Sequence, residues 1–154
     1  MVNNRPILSR TLFIILSLTW GFLLTLCGAI TVGAILSYAK VKKLPVTLKK
    51  HGYCYYLNVG KSWGGLNLGL FFLTDSRDSI STKWHEHGHA IQNCFWGPLT
   101  PFVITIPSAL RYHARVNAIA RGESNLPKYD SAWFEHDATL TGRKYRKHLK
   151  LTNK

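Results

Sequence analysis

The run His85-Glu86-His87-Gly88-His89 places two imidazoles and a carboxylate at spacings that suit a metal ion. On an α-helix, positions i and i+4 lie about 40° apart on one face, so His85 and His89 can point at the same ion. Glu86 follows the first histidine and can reach a water molecule on the metal rather than the metal itself. His87 points about 200° away from His85, and we do not expect it to be a ligand.

This H-E-x-x-H arrangement is the zinc-binding element of metallopeptidases. There zinc lowers the pKa of its water towards ~7 and polarises the scissile carbonyl, while the glutamate takes and relays the proton. Gly88 costs a helix roughly 1 kcal/mol relative to alanine, but a small residue there lets another backbone pack closely. The pattern predicts a Zn²⁺ site with Glu86 as the catalytic residue, although it also occurs by chance in unrelated proteins.

A catalytic zinc also needs a third protein ligand. Glu123 lies in a polar loop with glycine and proline, whereas Glu135 follows two aromatic residues and borders an apolar face. A buried carboxylate is costly without a partner, and a zinc ion would be such a partner. The acidic residues downstream of the motif are Glu123, Asp130, Glu135 and Asp137.

Several pieces of the chain between about residues 64 and 142 resemble a family of small bacterial zincin-like membrane proteins. In order, they are Gly65-Leu66-Asn67-Leu68-Gly69, His85-Glu86-x-Gly88-His89-x-x-Gln92, Gly97-Pro98-Leu99, Ile106-Pro107-Ser108 and Trp133-Phe134-Glu135-x-x-Ala138. The last piece is similar to the third-ligand helix of gluzincins, including the membrane-bound CaaX-protease and heat-shock-protease group. The resemblance implies a zinc-dependent peptidase with the metal ligands His85, His89 and Glu135, and it names no substrate.

One position departs from the gluzincin pattern. Gluzincins commonly carry an aspartate that supports a ligand imidazole where this chain has Thr139. Asp137 or Asp130 could substitute for that aspartate. The candidate donors to a tetrahedral oxyanion are Tyr112, His113 and His136.

The residues around the motif predict the elements that position it. Aromatic and aliphatic runs at Tyr53–Val59 and Leu66–Thr74 predict two strands joined by a hairpin loop over residues 60–65, and the second strand is the expected binder of a substrate backbone. Ser79 or Ser81 and then Gly97-Pro98 bound a predicted helix from about Ile80 to Phe95. Further helices are predicted from Ser108 to about Arg121 and from Asp130 or Ser131 into the basic tail. The run Phe95–Leu110 contains three prolines and predicts a buried loop or an interfacial segment.

The N-terminal part of the chain is apolar. No charged residue occurs from Thr11 to Ala39, and about 20 apolar residues suffice to cross a bilayer. A cleavable signal peptide is the competing interpretation, although its apolar core usually has only about 7–15 residues. We predict an α+β fold with an N-terminal tail (1–10), a transmembrane helix (11–39), a basic linker (40–52) and a zincin-like metallopeptidase domain with a basic C-terminal tail (53–154).

The chain is strongly basic, with 20 Lys+Arg against 7 Asp+Glu. The basic residues cluster beside the apolar segment and at the C-terminus, which favours contact with anionic lipid headgroups and a cytoplasmic C-terminal domain. No nucleic-acid-binding motif is present in the sequence, and nucleic acid is not an expected partner. The three cysteines form no C-x-x-C pair and predict reduced thiols.

These features predict a single-pass, membrane-anchored zinc metallopeptidase that cleaves peptide or protein substrates, with membrane-tethered or juxtamembrane peptides expected. An intramembrane protease is a different class, but Ser79–Lys83 is too polar for a spanning helix. A second alternative stays open: a non-catalytic membrane accessory or immunity-type protein with a structural or vestigial metal site.

Overall fold

The computed structural model describes residues 6–152, and these form an α+β fold, as predicted. Residues 1–5 of the predicted tail and residues 153–154 of the predicted domain lie outside the described residues. Short 3₁₀ turns occur at Gly97–Leu99 and Tyr129–Ser131, and a π-helical turn at Pro101–Thr105. The main elements are α1 (Arg10–Leu18), α2 (Phe22–Val41), β1 (Lys49–His51), β2 (Cys54–Asn58), β3 (Gly65–Leu68), β4 (Phe71–Thr74), α3 (Ile80–Trp96), α4 (Ile106–Ala120) and α5 (Trp133–Thr152).

The four strands form one sheet in the order β1-β2-β4-β3. The strands β2 and β4 are parallel, whereas β1–β2 and β3–β4 are antiparallel pairs. The predicted hairpin between Tyr53–Val59 and Leu66–Thr74 is therefore wrong. The second run is itself a hairpin, because Gly69 adopts a φ of +72° that permits a tight turn after β3. The predicted basic linker also ends too late, since β1 lies inside it.

The apolar run predicted as one helix over residues 11–39 forms two helices. They separate at Thr19–Gly21, where a Cβ added to Gly21 would lie 2.3 Å from the Nδ2 atom of Asn93. The first helix, α1, belongs to the core of the domain, because Phe13 is fully buried and stacks on His87. The prediction of one transmembrane helix over residues 11–39 is therefore wrong, because the run breaks into two helices and the first of them packs inside the domain.

The described part of the predicted N-terminal tail is also anchored in the fold. Leu8 is buried, and its backbone N–H donates to the hydroxyl of Tyr145 at 2.7 Å. The Tyr53 hydroxyl in turn donates to the carbonyl of Leu8 at 3.3 Å. Leu8 thus ties this segment to α5 and to the residue that precedes β2.

The second helix, α2, is long and apolar enough to cross a membrane by length and composition, a test that buried core helices and signal sequences also pass. One face of α2 packs closely on the β3–β4 hairpin. A Cβ added to Gly28 would lie 2.4 Å from the Leu68 carbonyl oxygen. The opposite face exposes large apolar side chains, among them Leu23, Leu26 and Ile30.

The helices α3 and α5 form the closest helix pair of the fold. A Cβ added to Gly88 would lie 2.0 Å from the Ala138 carbonyl oxygen, and one added to Gly142 would lie 1.9 Å from the Trp84 carbonyl oxygen. Both helices therefore touch backbone to backbone, which agrees with the close packing predicted for Gly88.

The predicted helix boundaries are close for α3, which extends one residue beyond Phe95. The helix α4 begins at Ile106 rather than Ser108, and α5 begins at Trp133 after a 3₁₀ turn. The predicted buried loop over Phe95–Leu110 is wrong, because most of that run is helical, whereas the alternative of an interfacial segment stays a prediction. Its prolines lie in the first two residues of the 3₁₀ turn, the π-helical turn and α4, positions at which helices tolerate a missing N–H.

Candidate metal centre

Helices α3 and α5 bring the three predicted metal ligands together. His85 and His89 lie one turn apart on α3, and both Nε2 atoms face the same carboxylate oxygen on α5. The Oε2 atom of Glu135 lies 2.9 Å from the Nε2 of His85 and 3.3 Å from the Nε2 of His89. This cluster could bind a metal ion, because one donor atom of each residue lies within 4.8 Å of the other two.

The spacing of these atoms is near that of a tetrahedral metal site. With metal bonds of ~2.0–2.2 Å, tetrahedral geometry separates two ligand atoms by about 3.3–3.6 Å. The separation of 3.3 Å between His89 and the Glu135 oxygen has this length, whereas that of 2.9 Å from His85 is a hydrogen-bond length that a bound metal would have to widen. Glu135 has no exposed surface, so a cation between these groups would also neutralise a fully buried carboxylate.

The hydrogen bonds of Gln92 determine which nitrogen of His89 can bind a metal. The Nε2 atom of Gln92 donates to the Phe134 carbonyl at 2.8 Å and to Asp137 Oδ2 at 2.7 Å. Its Oε1 atom, 2.7 Å from the Nδ1 of His89, must then accept a hydrogen bond from that ring. With its proton on Nδ1, the neutral His89 ring presents the lone pair of Nε2 to a metal.

Thr139 supports the other imidazole, since its Oγ1 atom lies 3.0 Å from the Nδ1 of His85. The hydroxyl thus stands where the gluzincin pattern has an aspartate. Asp137 contacts the site indirectly, through Gln92, and Asp130 lines the cleft in front of the candidate ligands. The described hydrogen bonds of the two ligand rings therefore involve neither of the aspartates proposed as substitutes.

The charges of the metal-free cluster are strongly coupled. Burial alone would raise the pKa of Glu135, but hydrogen bonds with His85, His89 and Ser108 hold that pKa well below its usual range. Burial alone would lower the pKa of His89, but the hydrogen bond to Glu135 and the charges of Glu86 and Glu135 raise it overall. Glu135 therefore stays ionised, and its charge favours positive charge on the neighbouring His89.

Glu86 lies beside the cluster and next to the edge strand β3. Its side chain is 4% exposed, and a Cβ added to Gly65 would lie 2.5 Å from its Oε1 atom. The side chain of Asn67 donates to the backbone carbonyl of Glu86 at 3.1 Å and ties β3 to α3. Burial raises the pKa of Glu86, which makes this carboxylate a better proton acceptor than one in water.

A cleft of about 750 Å³ opens in front of His85, Glu86 and His89. Residues 65–67 of β3 form part of one wall of this cleft. Of the run Leu66–Thr74 predicted to bind the substrate backbone, the part in β3 therefore lines the cleft. Of the three predicted oxyanion donors, Tyr112 lines the cleft, whereas His113 and His136 are exposed and do not line it.

Two residues at the site carried no predicted role. The Ser108 hydroxyl donates to the Oε1 atom of Glu135, and the Tyr129 hydroxyl lies 3.3 Å from Ser108 Oγ. Burial raises the pKa of Tyr129 to about 12, so this phenol keeps its proton at neutral pH. Ser108 lies in one of the matched pieces of sequence, but only the fold shows that it reaches Glu135.

No protein-family model, curated protein or solved structure matches this chain. The resemblance to zincin-like proteins is therefore a hypothesis. Function is inferred from the geometry and chemistry of the site.

Proposed function

We propose that this protein is a membrane-associated zinc metallopeptidase with a zincin-like fold. The supporting observation is the convergence of His85, His89 and Glu135 beside the buried Glu86, at the edge of an open cleft. Two imidazoles and one carboxylate favour zinc over magnesium or calcium, which prefer oxygen ligands. Three protein ligands leave a fourth position for water, as in catalytic zinc sites.

When bound, zinc would supply an activated water and polarise the carbonyl of the scissile bond. Glu86 takes a proton from the attacking water and returns it to the nitrogen of the leaving amine. Thr139 and Gln92 hold the two imidazoles in their ligating orientation. The phenol of Tyr112 is the predicted donor that lines the cleft and can stabilise negative charge on the carbonyl oxygen.

The substrate backbone would bind along β3. This strand pairs with β4 on one side and is the last strand in the sheet order, so its other edge can accept an extended peptide. Gly65 brings this edge against the side chain of Glu86. A peptide paired there would pass directly in front of the proposed general base.

Membrane association is proposed for α2. Its outward face exposes Leu23, Leu26 and Ile30, and an exposed apolar surface of this kind is typical of a helix covered by lipid. Phe102, before α4, and Leu110, within it, are further exposed apolar side chains, each 66% exposed. Because α2 is docked on the β3–β4 hairpin, the cleft would be held close to the bilayer, where membrane-tethered or juxtamembrane peptides are the expected substrates.

The catalytic proposal is tested with full-length protein in detergent, loaded with zinc and assayed on a quenched-fluorescent peptide library. We expect zinc-dependent hydrolysis that falls by about 10²–10⁴-fold in Glu86→Gln, with the zinc content unchanged. Glu123→Gln is the matched control, because Glu123 is exposed and pairs only with Arg121 among the described residues. Full activity in Glu86→Gln would refute the general-base assignment. A zinc-loaded wild type that cleaves no peptide would instead favour the non-catalytic alternative.

A further inference from the structure

A line of side chains on α5 leads away from the metal cluster along the cleft. Glu135, Thr139, Arg143 and Arg146 follow one another at steps of four, four and three residues, which places them on one face of the helix. The last three of them line the same cleft as His85 and Glu86. The helix that supplies the third candidate ligand thus also supplies two guanidinium groups to the cleft.

The cleft is positively charged beyond the catalytic glutamate. The arginines that line it are Arg77, Arg115, Arg143 and Arg146, and the acidic residues that line it are Glu86 and Asp130. Arg77 already pairs with Asp75 at 2.5 Å, and Arg115 donates to the Pro127 carbonyl at 2.5 Å.

Arg143 and Arg146 differ from these two arginines. Within residues 6–152, neither guanidinium has a hydrogen bond or an ion pair, so both are available to a ligand. Arginine binds carboxylates through two parallel hydrogen bonds, because its planar fork matches the two carboxylate oxygens. A carboxylate on a bound peptide would therefore find two unpaired partners at this end of the cleft.

The distance from the metal cluster limits where that carboxylate lies. An α-helix rises 1.5 Å per residue, so Arg143 and Arg146 follow Thr139 by about 6 and 10 Å along α5. An extended peptide advances about 3.3 Å per residue. These lengths correspond to a substrate residue about two to three positions from the scissile bond.

We propose that Arg143 and Arg146 select peptides with a carboxylate, either an acidic side chain or the free C-terminus, about two to three residues from the cleaved bond. This inference rests on the proposed peptidase function, because it places the peptide in the same cleft. It goes beyond that function by naming the charge of the substrate and the residues that read it.

The test measures peptide binding separately from cleavage. Full-length, zinc-loaded Glu86→Gln protein in detergent is titrated by calorimetry with blocked, alanine-rich octapeptides that carry one glutamate or one glutamine at each successive position. A second pair of peptides has either a free or an amidated C-terminus, which distinguishes the two sources of the carboxylate. The same titrations are made with Arg143→Gln/Arg146→Gln and with Lys147→Gln added to the Glu86→Gln background.

We expect glutamate, or the free C-terminus, to strengthen binding about tenfold over its neutral counterpart, and added salt to reduce the difference. The double arginine variant should abolish this preference. Lys147→Gln should retain it, because Lys147 is exposed on the same helix, carries the same charge and does not line the cleft. Equal binding of charged and neutral peptides, absence of peptide binding, or a preference that survives in the double variant would overturn the proposal. A preference without hydrolysis by the wild type would contradict the peptidase function and leave the carboxylate site standing.

Discussion

Gly88→Ala tests whether the close approach of α3 and α5 forms the candidate metal centre. Helix propensity alone predicts that this substitution stabilises α3 by about 1 kcal/mol. The packing predicts the opposite, because the new Cβ would lie 2.0 Å from the Ala138 carbonyl oxygen. A carbon and a carbonyl oxygen approach to about 3.3 Å at best, so the two backbones must separate by more than 1 Å.

The displacement should lower the free energy of unfolding and should lower the zinc affinity even more. Overpacking costs about 1–3 kcal/mol, so the net loss reaches about 2 kcal/mol after the gain in propensity, or roughly 4–8 °C in Tm. Ala138 lies one helical turn from Glu135, so the same shift moves the Glu135 carboxylate away from His85 and His89. Metal–ligand distances tolerate only about 0.2 Å, and we expect zinc affinity to fall at least 100-fold.

The assay combines zinc content by mass spectrometry with thermal unfolding, with and without added zinc. Gly33→Ala is the matched control, because Gly33 is also helical and a Cβ added there meets no atom within 4 Å. The control should keep the zinc content and the Tm of the wild type, or raise the Tm slightly. A Gly88→Ala protein that is as stable as this control and retains its zinc would refute the proposed role of the helix contact.

Three further predictions concern the support of the site, the docking of α2 and a buried histidine. Thr139→Val should weaken zinc binding about 10–100-fold in a competition assay, because it removes the hydroxyl that orients an imidazole, and unchanged affinity would contradict this role. Gly28→Ala should lower the Tm, since its Cβ would lie 2.4 Å from a carbonyl oxygen of β3, whereas a Tm equal to that of Gly33→Ala would argue against docking of α2. Burial lowers the pKa of His87 to about 3, so the unfolded chain takes up a proton near pH 6.5 that the folded chain refuses. The free energy of unfolding of the metal-free protein should therefore fall by about 1.4 kcal/mol per pH unit between pH 6.5 and pH 3 because of His87. His87→Phe should show a shallower pH dependence of this free energy in urea unfolding. An equal slope in both proteins would show that His87 does not stay neutral in the folded state.

The short-range features of the site could be predicted from the sequence. The i, i+4 spacing of His85 and His89 and the stop at Gly97 are local properties of one helix. Gly97 has a φ of +52° and a ψ of −126°, a backbone conformation that glycine adopts far more readily than other residues, and α3 ends directly before it. The two helices are distant in sequence, so no local pattern predicts that Glu135 meets these histidines. That prediction needed the apolar neighbours of Glu135 and a family resemblance.

The wrong predictions concern segments whose sequence pattern is compatible with more than one structure. Apolar residues such as Phe13 satisfy a membrane and a protein core equally well, so hydropathy could not show that α1 packs inside the domain. The break at Gly21 depends on the side chain of Asn93, 72 residues away in the chain. The parallel pairing of β2 with β4 is likewise non-local. Both the glycine-rich loop before β3 and the turn at Gly69 have the composition of a hairpin turn, so the sequence does not show which of them joins paired strands.

His85, His89 and Glu135 are proposed to bind one zinc ion. The most direct test is the metal content of full-length protein purified without added metal, compared with Glu135→Ala prepared in the same way. We expect about one zinc per chain in the wild type and its loss in the variant, with zinc absorption spectra of the wild type showing two imidazole ligands and a carboxylate at ~2.0–2.2 Å. A wild type without zinc, or a Glu135→Ala protein that retains it fully, would contradict this ligand set and the enzyme proposed from it.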